Sequence, residues 1–477
     1  MRIRLSEISK NPTWIFSRRD MHSPPPRTRE LIGDALRDYV DRFETWEVEV
    51  TLRRDSTTDG MARPRSVDEV KSILQIAKPG VTFQDLFKYC VQNDLKVWPS
   101  GPSLPWGSVT LDRGMGFLPT GVHHQQIAGL EVLLANGELV RTGQFATSDS
   151  ESAHVSKHSF GPSIEGLFLQ SNLGIVTKMG IWLTPRPQSY MFCKFDMRNR
   201  EDIGTIVDVL GPLRRNGVIG STLWAASVTE LLAVIAKRAE LWQGEGAIPD
   251  WRLKELMSKY DLGFLAANFG LYSPEKVIKA HFEEVKRAVT ENAPTRRLTS
   301  NLYSGKSAEL LSGEALLEGD AGMFINKPNF QSLEVLKFNL PLDDSGCISA
   351  HRDFAPIMPA IGTTVLDWAE TSRKICGEEG FDLFCDFFIQ ERSVIFIYLT
   401  FFDKVNEKHR KALNTIMTRF QQEARKRKFA AYRAHVLDMD RNAQNFDFND
   451  YAYRKFVETP KDTLDPEGIL SPGKQGI

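Results

Sequence analysis

Three observations predict an α+β fold whose antiparallel sheet is flanked by helices. From about Pro187, strand-like and helix-like blocks alternate along the chain. Some of these blocks are joined by hairpins: Phe381 to Ile389 and Val394 to Phe401 form an apolar pair around Gln390 to Ser393. Between Glu131 and Thr142, two further strand-like runs flank Asn136-Gly137. A tight two-residue hairpin prefers that pair because both positions tolerate positive φ. At 477 residues the chain exceeds the usual single-core limit, so two domains are expected.

Taken in order, an irregular leader ending in Pro24-Pro25-Pro26 precedes a helical stretch from about Arg29 to Phe43. Ser66-Val67-Asp68-Glu69 is a capping box, in which hydroxyl and carboxylate satisfy each other's end of a helix N-terminus. Val70, Ile73, Leu74 and Ala77 then share one helical face, and that helix runs into Pro79-Gly80. A second start at Thr82 carries Leu86, Phe87, Cys90 and Val91 as its stripe. Later come a strand over Met191 to Phe195, a helix over Glu201 to Arg214, and a strand over Phe264 to Leu271. A helix capped by Ser273 has Pro274 in its first turn. A long helix from about Val405 to Lys428 buries Leu413, Ile416, Met417 and Phe420. The tail from Leu464 to Lys474 is rich in turn residues and reads as a strap.

A hydrophobic content of 42% and a charged content of 25% are those of a globular protein. With 60 basic and 61 acidic residues, the net charge of -1 gives no electrostatic case for nucleic acid or membrane binding. A small, neutral or weakly charged ligand is the easier fit. Five scattered cysteines without a C-x-x-C spacing suggest neither a disulfide framework nor a metal site. No apolar run reaches the roughly 20 residues of a membrane span. The first thirty residues lack the apolar core of a signal peptide, so a cytoplasmic location is the default, with mitochondrial or peroxisomal import as alternatives.

The most informative stretch runs from Gly166 to Pro185. Small and polar residues, Gly166, Ser171, Asn172 and Gly174, stand ahead of the apolar runs Ile175-Val176 and Ile181-Trp182-Leu183. That reads as a turn feeding buried strands, with glycines that let a backbone or a ligand come close. As a string it resembles the flavin-binding domain of the vanillyl-alcohol oxidase and p-cresol methylhydroxylase family. Matches at Pro79 to Thr82, Asp112-Arg113-Gly114, Leu130 to Gly143 and Asp465 to Gly476 extend the resemblance from about Arg63 to Ile477.

The resemblance implies a p-cresol methylhydroxylase-type (PCMH-type) FAD-binding domain formed by both chain ends, with a cap domain inserted between them. The expected division is a leader at 1–60, an incomplete FAD-binding domain at 61–187, a cap at 188–435 and a C-terminal return at 436–477. Pro79, Gly80, Gly107, Ser108, Gly166, Ser171, Asn172, Gly174, Ile175, Val176 and Lys474 would contact FAD. His351, five positions before Pro356, matches the histidine that tethers the flavin in vanillyl-alcohol oxidase; a neutral imidazole is a competent nucleophile near physiological pH. The pair Tyr432-Arg433 matches the one that holds a phenolic substrate as its phenolate. Two donors aimed at one oxygen lower that oxygen's pKa. Read without the resemblance, Arg433 is a solvated cation beyond the basic run Arg425 to Lys428. Ser103 stands where vanillyl-alcohol oxidase has an acid/base aspartate; a serine can orient water but cannot store a proton near neutrality.

The chain departs from the family between Lys78 and Pro79. Relatives carry there a strand, the glycine-rich loop that binds the FAD pyrophosphate, and a further phenolate-binding tyrosine. The expected function is FAD-dependent oxidation of para-substituted phenols, with dioxygen as electron acceptor and a homo-oligomeric assembly. Two alternatives stay open: a 2-hydroxyacid dehydrogenase of D-lactate type, and a truncated, flavin-free subunit.

Overall fold

The computed structural model describes residues 81–102, 110–293, 297–305, 310–311, 322–325 and 331–477. The helices expected at Arg29 and Ser66, and Pro79, Gly80, Ser103, Gly107 and Ser108, lie outside the described residues. Helix α1 (Phe83–Gln92) begins at a capping box in which Thr82 accepts from the Asp85 amide. Of its expected stripe only Cys90 is buried, and Val91 is exposed.

Strands β2 (Ile127–Leu133), β3 (Leu139–Arg141) and β4 (Ile175–Ile181) form a three-stranded antiparallel sheet in the order β3-β2-β4. Leu133 pairs with Leu139, so the hairpin loop spans five residues instead of two. Gly137 alone takes positive φ, at 86°, and its N–H donates to the Leu134 carbonyl at 2.9 Å. A right-handed turn closed by one left-handed glycine needs Gly137 only, and Asn136 keeps an ordinary conformation. The expected pair of buried strands after Gly174 is one continuous strand whose faces alternate, leaving Trp182 40% exposed beyond its end. A short pairing of β1 (Val97–Trp98) with β5 (Thr184–Pro185) joins the first helix region to this unit.

The larger element is an eight-stranded antiparallel sheet. Its strands are β6 (Ser189–Met197), β7 (Leu223–Ser227), β8 (Leu265–Ser273), β9 (Arg297–Ser304), β10 (Ser349–Pro359), β11 (Cys385–Ile389), β12 (Ser393–Asp403) and β13 (Ala430–Ala434). They lie in the order β13-β10-β12-β11-β7-β8-β6-β9. The predicted α+β class, with helices against an antiparallel sheet, is what the structure shows. Helix α2 (Ile203–Arg215) packs on one face with α5 (Glu275–Asn292), α6 (Gly362–Glu378) and α7 (Glu407–Lys426); α3 (Val228–Ala233) and α4 (Asp250–Tyr260) cover its end. Trp368 stands at the centre of this core, its ring 6.0 Å from Phe420 and 6.1 Å from Phe354. β11 is buried along its whole length because the opposite face is covered too. Ser273 belongs to β8 and does not cap α5, which starts after Pro274.

The tail returns to the small sheet, as expected of a strap, but a helix with no counterpart in the sequence expectations, α8 (Phe448–Leu464), leads into it. Asn172 Nδ2 donates to the carbonyls of Ser471 at 3.2 Å and Ile477 at 3.1 Å. The buried Lys461 ammonium donates to the carbonyls of Asn172 and Leu470, both at 2.9 Å, and pairs with Asp465. A buried ammonium that loses its counterion carries a large desolvation cost. Asp465→Asn is therefore expected to free the last residues, seen as faster trimming of the C-terminus in limited proteolysis followed by intact mass.

Candidate active site

The site lies on the face of the large sheet turned away from α2, α5, α6 and α7, and Pro356 organises it. A proline offers no N–H to a ladder, and the pairing of β10 with β13 steps from Phe354↔Ala434 to Pro356↔Ala431. Tyr432 and Arg433 consequently both stand opposite Ala355. Such a bulge re-aims side chains that strict alternation would send to opposite faces. The Arg433 guanidinium carbon sits 5.2 Å from the centroid of the Tyr432 ring. Neither the Tyr432 hydroxyl nor the Arg433 guanidinium has a hydrogen-bond or ion-pair partner among the described residues. Burial pushes the Tyr432 phenol above its ordinary value; Arg433 opposes this, and Asp353 and Asp386 add to it. The hydroxyl stays a donor near neutral pH.

The row across the sheet continues from there. Phe354↔Tyr398 and Ile357↔Ile395 set Ala355 opposite Ile397, and Ile397 pairs with Asp386. The Trp224 indole N–H donates to Asp386 Oδ2 at 3.1 Å. Phe117 lies against Trp224, centroids 5.8 Å apart, and against Phe388 at 6.2 Å. The result is a buried row in which Ala355 and Ile397 pack with Phe117 and Phe388, with the donor pair Tyr432 and Arg433 at one end and the Asp386 carboxyl at the other.

His351 sits four residues before Ala355 on the same face, half-buried, 6.5 Å from the Phe401 ring and without a hydrogen bond among the described residues. Its neighbour His435 is held below the ordinary imidazole value, chiefly by burial. Arg352 points the other way, where it makes a bidentate pair with Asp438 at 2.6 and 2.7 Å and donates to Asn414 at 2.6 Å. That pair pins the strand presenting His351 to the segment after β13.

On the small-sheet side, a Cβ on Gly166 would meet nothing within 4 Å, which leaves room for a ligand against its backbone. A Cβ on Gly174 would come 2.4 Å from Val132, so packing against β2 accounts for that glycine. Ser171 lies in the turn before β4, with Ile175 and Val176 at the start of that strand. The Asn172 amide is spent on the tail, while its Oδ1 is buried without a partner. Lys474 is paired with Asp112 at 3.0 Å. Gln170 joins the two units, donating to the Tyr432 carbonyl at 2.8 Å.

No family model matches the sequence. The chain is 29% identical over 413 residues to the flavoprotein subunit of 4-cresol dehydrogenase (hydroxylating) from Pseudomonas putida, covering 84% of this chain and 75% of the relative. The solved structure of 4-ethylphenol oxidase from Gulosibacter chungangensis in complex with isoeugenol matches with a TM-score of 0.76 at 29% identity, covering 84% of this chain and 76% of that one. That of p-cresol methylhydroxylase with substrate bound matches with a TM-score of 0.75 at 27% identity, covering 84% and 75%. The chain is a homologue of the p-cresol methylhydroxylase-type FAD oxidases.

PCMH-type flavoproteins bind FAD, and the described residues fit its two ends. His351 is half-buried and unbonded on the face of the large sheet, and Gly166 and Asn172 Oδ1 leave space and an acceptor on the small-sheet side. The pyrophosphate would need cationic or N–H donors, and four cations on this side are already paired: Lys474 with Asp112, Lys461 with Asp465, Arg141 and Lys178 with Glu131. The PCMH-type donor loop is not among the described residues. Among them no three His, Cys, Asp or Glu side chains gather to hold a metal ion, and no helix is long and apolar enough to cross a membrane.

Sequence reasoning misses Asp386, Trp224 and the Gln170 link. A lone aspartate within the apolar run Cys385 to Ile389 is the one available signal. Burial pushes the Asp386 carboxyl up to about 7, although the Trp224 and backbone hydrogen bonds pull it down. Its folded value lies above the ordinary aspartate value of about 3.9. Stability from this group is therefore complete below that value and is lost as pH rises through about 7. The urea midpoint of the wild type is expected to fall from about pH 5 to about pH 8, and that of Asp386→Asn to fall less.

Proposed function

We propose that this chain is an FAD-dependent oxidoreductase of para-substituted phenols, such as 4-hydroxybenzylic alcohols of vanillyl-alcohol type or alkyl and allyl phenols. The observation that carries the reading is the unpartnered pair of Tyr432 and Arg433, bulged onto one side of the sheet face that also carries His351. FAD, when bound, supplies the acceptor for a hydride from the benzylic carbon. Tyr432 donates to the substrate oxygen and Arg433 neutralises it, so the phenolate form is favoured and releases electron density toward that carbon. Phe117, Trp224 and Phe388 exclude water from the ring. His351 is the tether; Gly166, Ser171, Asn172, Ile175, Val176 and Lys474, with Pro79, Gly80, Gly107 and Ser108, line the cofactor. Ser103 orients the attacking water. Residues 61–187 and 436–477 form the FAD domain in this reading, and 188–435 the cap.

Dioxygen is the proposed final acceptor, giving hydrogen peroxide, in a homo-oligomer. The relative named a flavoprotein subunit supports a second acceptor reading, in which a partner chain takes the electrons. Purified protein is expected to be yellow and to keep its colour in an acid precipitate, whereas His351→Ala releases the flavin to the supernatant. Vanillyl alcohol or 4-ethylphenol should bleach the flavin anaerobically and D-lactate should not. Bleaching by D-lactate alone would move the chain to the 2-hydroxyacid class. A colourless preparation without dissociable flavin would leave the flavin-free subunit.

A further inference from the structure

A cavity of about 200 Å³ lies on the helix-covered side of the large sheet, away from Tyr432 and Arg433. It is bounded by α2, α3, α4 and α6 and by the ends of β7, β8 and β11. Strand alternation keeps it apart from the row described above: Cys385 of β11 enters the cavity, while the next residue, Asp386, turns to the other face. The wall is apolar, made by Ile203, Leu253 and Leu265 and by the rings of Phe264 and Phe381.

The polar side chains that reach the cavity are already satisfied. Ser227 Oγ accepts from the Cys385 N–H at 3.2 Å and lies 2.9 Å from Thr229 Oγ1, which donates to the Leu383 carbonyl at 2.6 Å. Asp382 accepts from the Ile248 N–H and from Arg238 Nε, both at 2.6 Å. These bonds hold the wall around Ile248 in place. A buried water needs two or more free polar partners, so the interior favours an apolar occupant.

The rim sets the charge of that occupant. Arg200 pairs with Asp250 at 2.9 Å and with Glu370 at 2.8 Å, and Arg373 pairs with Asp250. Two cations against two carboxylates leave no cation over for an anionic head group. Gly377, in the last turn of α6, is exposed at the rim, and a Cβ there would meet nothing within 4 Å. Glycine weakens a helix relative to alanine. Packing accounts for Gly362, at the other end of the same helix, against Asp208 and Gly204. At Gly377 the missing side chain leaves the entrance open.

We propose that this cavity is a second ligand site, one that takes a single small, neutral aromatic molecule: an alkylbenzene or an un-ionised phenol of one ring. Size supports one ring, because an apolar cavity of about 150 Å³ accommodates benzene, and this one leaves room for a short substituent. Phe264 and Phe381 offer ring faces and edges to it. The site needs neither flavin nor Tyr432, so it stands apart from the phenol reading above.

The test is calorimetric titration of the full-length protein with toluene and, separately, with benzoate. Toluene is expected to bind with one equivalent and half-saturation at about 1 mM or below, a range open to so small a ligand. Benzoate should bind about tenfold more weakly or not at all. Gly377→Phe, which closes the rim, should weaken toluene binding about tenfold or more, and Tyr432→Phe should leave it unchanged. Should Gly377→Phe fail to fold, Ala369→Leu, which fills the cavity from the buried face of α6, takes its place with the same expected loss. No toluene binding, benzoate binding as tight as toluene, unchanged affinity in the cavity variant, or loss of affinity in Tyr432→Phe would each overturn the site. Toluene binding by a chain whose flavin no phenol bleaches would sink the phenol reading and keep this one.

Discussion

Arg433→Ala is expected to lower kcat/KM for 4-ethylphenol by about 10²–10³, the scale of removing one preorganised donor from a developing or bound anion. Arg433 is half-buried and has no carboxylate of its own among the described residues, so an oxyanion is the partner its position provides for. Its stack on Tyr432 keeps the two donors converging. Arg433→Lys should recover only part of the activity, because an ammonium is a point charge that lacks the planar fork. Tyr432→Phe should cost about ten- to a hundredfold, the value of one hydrogen bond to a charged oxygen. Stopped-flow bleaching of the flavin under anaerobic conditions measures all three. Bleaching by Arg433→Ala at the wild-type rate would remove the phenolate role from this arginine.

Arg352→Ala is expected to destabilise the fold by about 3–5 kcal/mol, the cost of leaving one member of a buried ion pair without its partner. Side chains of Arg352 and Asp438 are 5% and 3% exposed, so solvent cannot take over either charge. Replacing both, as Arg352→Met with Asp438→Leu, should restore most of the loss, because neither charge is then stranded. Urea unfolding of the single and double variants reads the difference. In the structure Arg352 is the anchor that holds β10, and thus His351, against the segment following β13.

Several parts of the site are legible along the chain because their signal is local. His351 and Tyr432-Arg433 stand out only through the resemblance of their segments to the family, and strand pairing brings them to one sheet face. Asn172 reads as a cofactor contact through its turn; its amide instead fastens the tail, a contact across roughly three hundred positions that no local pattern encodes. Gly174 reads as a ligand glycine, and Val132 explains it. Asp386 escapes notice because a single polar residue in a strand reveals neither its burial nor its neighbours. Trp224 reads as one more core aromatic, and only the pairing of β7 with β11 sets its indole N–H against Asp386.

Amino-acid order by itself determined the α+β class, the family likeness, and the short-range pairs whose chemistry depends on residues side by side. The break at Pro356 was not read from the sequence, because a missing N–H matters only once β13 is paired beside that strand. Tertiary structure decided the rest: that the break turns Tyr432 and Arg433 to the same side, and that the buried Asp386 carboxyl stands at the other end of the row. These outcomes depend on strand register and burial, which are properties of distant segments packed together and have no counterpart in local sequence.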